Sequence, residues 1–257
     1  MLNCYTRKDK PTSPTIWRYM NVSKFLSFIQ TGELYFSSLN KMNDVLEGAN
    51  FSDFIKINQH YKLSNRKFKN EFVEKVKNLK EIQKNFYTCC FYSTNQESKV
   101  MFDLYSSEYG VAICFKSNEL FEQINLFYEN NLKEQYSFNY GYINYDFKEP
   151  LGLIGLISTE FKNPIEFNPF SKQKIHMYEN EYRFVFHKKN MDAQEKLHIK
   201  IDICSSIKVI VAHPNFYDWE IDVINDVIKK YEYKLDFKKS SLITNEILKR
   251  FQEDTYY

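Results

Sequence analysis

The sequence predicts one α+β domain over residues 1–257, with strands and helices alternating irregularly and a helical insertion at about 51–84. Three observations predict it. Aromatic and polar residues alternate with a period of two in several places, most clearly at Phe86–Thr94 and Tyr178–Phe186, which marks half-buried strands. Between them lie stretches with apolar residues at helical spacing. A chain of 257 residues with 23 Phe and 20 Tyr also has ample apolar surface for a core, and no internal repeat or linker-like break divides it.

In chain order, Thr15–Tyr19 is a short strand in which Arg18 faces opposite to Trp17 and Tyr19. A helix follows, with Val22, Phe25, Leu26 and Ile29 on its inner face and Gly32 at the C-cap. Leu34 and Phe36 alternate along a second strand that runs into a polar loop gathering Asn43, Asp44 and Glu47. These three fit turn and cap chemistry, and they are also candidates for a substrate loop. From Phe51 to about Lys84 the chain reads as helical, with Ser64 as a cap and Phe68, Phe72, Val73, Val76 and Leu79 as the buried stripe.

The strand Phe86–Thr94 places Cys89 and Cys90 on opposite faces and ends in the hydroxyl pair Ser93-Thr94, read as caps for the helix that carries Val100, Met101, Leu104 and Tyr105. Val111–Phe115 is a buried strand, and Ser117 caps a helix with Leu120, Phe121 and Ile124 inward. Between Tyr136 and Phe147 the aromatic alternation changes phase, which predicts a bulge beside Gly141. Leu151–Phe161 fits helix or strand equally. Pro164 and Pro169 mark a loop leading to the strand Tyr178–Phe186. Strands near Leu197–Ile201, Ile207–Val211 and Tyr233–Phe237, a helix with Ile221, Ile224, Val227, Ile228 and Tyr231 inward, and a terminal helix complete the chain.

Composition excludes several function classes. A net charge of +2 without long like-charged blocks argues against a nucleic-acid arm or a polybasic membrane patch. Six glycines leave no Walker or Rossmann pattern. The five cysteines show no Cys/His ligand spacing, so no structural metal is expected. No apolar run reaches membrane-spanning length and the N-terminus lacks a signal-peptide core, so the expectation is a cytoplasmic protein with no membrane partner. His213-Pro214 reads as a turn, and the five histidines show no catalytic spacing.

The chemistry concentrates in Tyr178–Phe186. There Tyr182, Phe184 and Phe186 share one face, and Glu179, Glu181 and Arg183 share the other, read as an open polar face. Two carboxylates and a guanidinium in a row suit ligand binding or acid/base work, and equally suit cross-strand ion pairs on a solvated strand.

Four ordered motifs carry a resemblance over about Ile16–Ser241: Trp17-Arg18-Tyr19; Gly32–Ser37 with Asn43-Asp44 and Glu47-Gly48; Cys90–Ser93 with Met101-Phe102, Tyr105 and Gly110–Ile113; and Lys174 with Tyr178–Arg183. Together they resemble the bacterial domain-of-unknown-function family 2971, from which Val45 and Phe102 depart where that family has Pro and Trp. More distantly, Arg18, Ser93-Thr94 and Glu179-Asn180-Glu181 resemble the arginine, serine and Glu-x-Glu motifs of ADP-ribosyltransferases. That resemblance implies a mainly antiparallel split sheet and NAD as substrate, without a Gly-rich loop. It assigns Glu181 to the oxocarbenium-like sugar, Glu179 to the acceptor, Arg18 to the pyrophosphate or ribose, and Ser93 to orienting Glu181. Thr94, Tyr92 and Tyr105 would complete the NAD site, an aromatic stacking on nicotinamide, with Arg183 as a positioning partner. It further implies an unknown acceptor (protein, nucleic acid or small molecule) and a toxin or antiphage-defence effector. Two readings stand beside it. One is a non-catalytic nucleotide-sensing or protein-binding module of a defence system. The other is a nuclease whose Asp44, Glu47, Glu179 and Glu181 collect Mg²⁺.

Overall fold

Strand β1 (Thr15–Asn21) and strand β4 (Gly110–Lys116) pair antiparallel along their whole lengths, from Thr15 opposite Lys116 to Asn21 opposite Gly110. They anchor a sheet in a computed structural model that describes residues 6–44, 47–49, 66–106, 109–145, 167–189 and 196–242. Among the described residues nine strands join that one sheet. The remaining strands are β2 (Glu33–Ser38), β3 (Phe86–Tyr92), β5 (Tyr136–Tyr142), β6 (Glu181–Lys188), β7 (Lys196–Lys200), β8 (Ile207–Ala212) and β9 (Phe237–Lys239). Their order is β5-β6-β3-β1-β4-β8-β9, and every pairing is antiparallel except β8 with β9.

The sheet forks at β3. At one end Tyr92 pairs with Trp17 of β1; at the other, Tyr87 and Thr88 pair with Ser38 and Ser37 of β2, which continues to β7. Arg18 occupies the fork. Its Nη2 donates to the Tyr35 carbonyl of β2 at 3.0 Å, Nη1 contacts the Cys89 thiol, and the guanidinium lies over the Phe91 ring.

Six α-helices pack around the sheet: α1 (Val22–Thr31), α2 (Arg66–Gln83), α3 (Lys99–Tyr105), α4 (Ser117–Asn131), α5 (Ile203–Ser206) and α6 (Asp218–Lys230), counted among the described residues. α1 starts where the Asn21 side chain accepts from the Lys24 amide. It stops at Gly32, whose φ of 66° lets its N–H return to the Phe28 carbonyl. The main core fills one face of the sheet. Phe25, Phe28 and Ile29 of α1, Leu120, Phe121 and Ile124 of α4, and Ile224 and Ile228 of α6 meet Phe91, Tyr182, Phe184 and Phe186 there. On the opposite face, Met101 and Phe102 of α3 pack on Trp17, Tyr19, Ala112 and Cys114, while Phe170 packs on Ile143 and Val185.

Several expectations change. The helix α3 is capped by Ser98, whose hydroxyl accepts from the Met101 amide, and not by Ser93-Thr94. The Ser117 hydroxyl donates to the Ser13 carbonyl and caps nothing. No bulge lies beside Gly141, because β5 keeps continuous register with β6 through Gly141–Arg183 and Tyr142–Tyr182. The change of phase arises because the odd-numbered face, with Ile143, becomes covered by Phe170. In α2, Leu79 is buried but Val73 is exposed, since the helix packs on Leu39, Ala49 and Phe167 near its C-terminal end. Tyr231, expected inward, is exposed because it lies past the last turn of α6 as its C-cap. The last strand begins at Phe237, and the turn at His213 holds through the Phe216 amide donating to the His213 carbonyl. Residues 51–65 of the expected insertion with its Ser64 cap, the stretch Leu151–Phe161 and the terminal helix from 243 lie outside the described residues.

Candidate functional site

The strand predicted at Tyr178–Phe186 begins three residues later. Lys174–Glu179 forms a 3-10 helix, Asn180 adopts a left-handed conformation (φ 35°, ψ 54°), and only then does β6 start at Glu181. Asn tolerates that conformation because its short amide can bond locally; here Nδ2 donates to the Ser93 carbonyl at 2.6 Å, while the Ser93 amide donates to the Asn180 carbonyl at 2.9 Å. The break takes Glu179 off the strand and turns it toward Glu181.

The face carrying Glu181 and Arg183 is closed, not open. Arg183 is among the largest fully buried side chains, and Glu47, Glu179 and Glu181 are buried with it. Their burial follows from the segment 167–179, which crosses this face. The Asn168 amide donates to the Gly48 carbonyl, the Asn144 amide to the Phe170 carbonyl, and the Lys172 amide to the Asn144 carbonyl.

Enclosed charges must be paired. Arg183 donates from Nε to Glu181 Oε1 at 2.5 Å and from Nη2 to Glu181 Oε2 at 3.0 Å. The same Nη2 reaches Glu47 Oε1 at 2.6 Å, and Nη1 donates to the Pro169 carbonyl at 2.6 Å. Lys172 supplies the second cation. Its Nζ lies 2.5 Å from Glu179 Oε2, 3.5 Å from Glu181 Oε2 and 3.8 Å from Glu47 Oε2. The other Glu179 oxygen accepts from the Tyr105 hydroxyl at 2.8 Å and lies 3.1 Å from His176 Nδ1. The Tyr145 hydroxyl accepts from the Glu181 amide at 2.9 Å.

The two carboxylates of the Glu-x-Glu motif are pushed in opposite directions. Burial would raise Glu181, but Arg183 and then Lys172 outweigh it and hold its carboxyl down at about 2. For Glu179, burial wins over the Lys172 ammonium, and its proton affinity is raised. Burial also opposes the Lys172 charge, yet Glu181, Glu47 and Glu179 together hold its proton more tightly than usual, so it is an ammonium and not a nucleophile. Burial and the neighbouring Glu181 carboxylate keep the Cys90 thiol protonated.

Of the residues singled out in the sequence, Glu179, Glu181, Arg183, Glu47 and Tyr105 come together. Tyr92 lies opposite Glu181 in the β3–β6 register and shares its face. Arg18 does not join them. Its register partner Ile113 belongs to the main core, whereas its neighbour Trp17 is the residue that faces Tyr92. The Ser93 hydroxyl bonds the Tyr142 hydroxyl, on the aromatic side with Tyr182. Both therefore point to the face opposite Glu181. Thr94 uses its carbonyl for Trp17 Nε1 and Thr15, and its hydroxyl for the Gln96 carbonyl. Asn43 is exposed, and the Asp44 carbonyl accepts from the Glu47 amide in a turn.

Sequence reasoning missed Lys172, Tyr145 and His176. His176 carried a legible signal, because residues three apart eclipse on a 3-10 helix and His176-x-x-Glu179 has that spacing. A divalent ion at the three carboxylates would have to displace Lys172 and compete with Arg183, so these side chains do not fit a metal as they stand. Among the described residues no group of His, Cys, Asp and Glu has metal-holding geometry, and no helix is long and apolar enough to cross a membrane.

No family model, curated protein or solved structure matches the chain, so the likenesses drawn above stand on their own motif residues alone.

Proposed function

We propose that the chain is an ADP-ribosyltransferase-like enzyme with NAD as substrate, and that Glu181 and Glu179 are its working carboxylates. The observation that carries the reading is two enclosed carboxylates in unlike company. Both oxygens of Glu181 accept from the Arg183 guanidinium, whereas Glu179 meets Lys172 and the Tyr105 hydroxyl, which favours a lowered proton affinity for the first and a raised one for the second. Such pairs divide into a fixed anion and a proton carrier, which is how acid/base sites are built at neutral pH. In the proposed step the bond between nicotinamide and ribose breaks and its electron pair leaves with neutral nicotinamide. Glu181 stabilises the oxocarbenium-like sugar, the acceptor's lone pair forms the new bond, and Glu179 takes the acceptor's proton. The order of strands gives secondary support, since β1, β3 and β6, which carry the three motifs, are consecutive neighbours.

The reading gives up Arg18 and Ser93, whose side chains face away from Glu181. It thereby loses the dinucleotide cradle expected from the motifs and rests on the carboxylate pair and the strand order. A second reading draws on a different observation: both oxygens of Glu181 and of Glu179 already bond within the protein. A non-catalytic binding module would use the cluster only to fasten segment 167–179 to the sheet.

Labelled NAD separates the two. The wild-type protein is expected to release nicotinamide, and Glu181→Gln and Glu179→Gln to slow release by roughly 10²-fold or more. Absence of both release and NAD binding would sink the transferase reading and leave the binding module.

A further inference from the structure

We infer that Lys172 is a positioning residue that sets the protonation of Glu179 separately from that of Glu181. The transferase reading supplies the use of this setting; the setting itself follows from how the two cations are shared. The hydrogen bonds of Arg183 go to Glu181, Glu47 and the Pro169 carbonyl, and none of these reaches Glu179. Lys172 is held by all three carboxylates but leans toward Glu179, at 2.5 Å against 3.5 and 3.8 Å for the others.

The surroundings of Glu179 make that lean decisive. α3 brings the Tyr105 hydroxyl and the 3-10 helix brings His176, both to the same oxygen. Tyr178 lies beside Tyr105, and Tyr145 follows β5. Glu181 and Glu47 add negative charge, with Cys90 beyond Glu181 as a protonated thiol. Three carboxylates share one ammonium and one guanidinium, and the guanidinium is taken up by Glu181 and Glu47. Lys172 is the cation Glu179 meets at 2.5 Å, and that contact favours its ionised form, the form that can act as a base. Withdrawing the ammonium removes the closest cation from Glu179, whereas Glu181 loses a more distant one and keeps both of its bonds from Arg183.

The test uses the full chain with carbon-13 labelled glutamate, following the carboxyl resonances of Glu179 and Glu181 against pH in wild type, Lys172→Met and Lys172→Arg. Lys172→Met is expected to raise the Glu179 midpoint by at least ~1 pH unit and to move that of Glu181 by less than half as much. Lys172→Arg restores the charge and should return Glu179 most of the way. The pH profile of nicotinamide release should shift with the Glu179 midpoint. In wild type, the Lys172 Nζ resonance should titrate with the same midpoint as Glu179, a measurement that needs no substituted protein to fold. Equal movement of both carboxyls, an unmoved Glu179, or a Lys172 signal indifferent to the Glu179 titration overturns the inference. A protein that releases no nicotinamide but shows the unequal titration sinks the transferase reading and leaves the role of Lys172 standing.

Discussion

The two faces of β6 are built on opposite principles. On one, Phe184 and Phe186 meet the rings of Phe91, Phe138 and Tyr136 edge-on or stacked, Tyr182 meets Phe184 and Tyr142 edge-on, and stability comes from apolar area removed from water. On the other, one residue away along the chain, Arg183 is equally buried and is held only because carboxylates and a carbonyl surround it. Apolar residues of similar volume often stabilise a site as well as or better than a buried ion cluster does. The contrast shows that stability alone does not account for the charged face, which directs attention to what its carboxylates do.

The sharpest way to break this contrast is to remove one member from each face. Arg183→Met leaves Glu47 and Glu181 buried without their main cation and is expected to cost about 3–5 kcal/mol in urea unfolding. Phe184→Ala should cost a comparable ~3–5 kcal/mol through its cavity. Adding Glu47→Leu and Glu181→Leu to Arg183→Met should recover most of the first loss, because no unpaired charge then remains. A mild Arg183→Met would mean that the ion pairs do not hold that face.

Acid distinguishes the faces next. The folded Glu181 carboxyl titrates at about 2, below its value in the unfolded chain of ~4.3. Its contribution is therefore complete above ~4.3 and disappears as pH falls through about 2, a change on the order of 3 kcal/mol. Glu179, raised in the folded state, acts in the reverse sense, since its protonation on acidification favours the fold. Glu181→Gln should flatten the loss of stability between about pH 4.5 and 2, while substitutions on the aromatic face leave that slope unchanged. The smallest effect is expected from Tyr105→Phe, which deletes one hydroxyl donor to Glu179 and should cost about 1 kcal/mol. It should also lift the Glu179 midpoint, because that hydroxyl bonds the anionic form.

Much of the fold was legible from alternation. The aromatic parity of Tyr182, Phe184 and Phe186, the opposite faces of Cys89 and Cys90, and the cap at Gly32 each follow from local backbone periodicity. The site was legible only in part. Parity alone placed Arg18 opposite Trp17, but which of them shares a face with Glu181 depends on register across β3, where Trp17 meets Tyr92 and Tyr92 meets Glu181. Glu179 left the strand because Asn180 takes a left-handed conformation held by Ser93, a contact 87 residues away in sequence. The open polar face became a closed one because segment 167–179 covers it, and Lys172 entered the site from that segment without any motif of its own.

The fork at β3 also governs how the molecule comes apart. Among the described residues every hydrogen-bonded route along the sheet from β9 or β5 to β7 passes through β3. Releasing β3 would divide the sheet into three unconnected pieces: β5 with β6, β2 with β7, and β1 with β4, β8 and β9. Opening β3 breaks its ladders to β1, β2 and β6 together, so its amides are expected to exchange more slowly than those of the edge strands β5, β7 and β9, which hydrogen exchange would check. The carboxylate pair at the start of β6 sits beside the strand that joins the three parts of the sheet, with Glu181 directly opposite Tyr92.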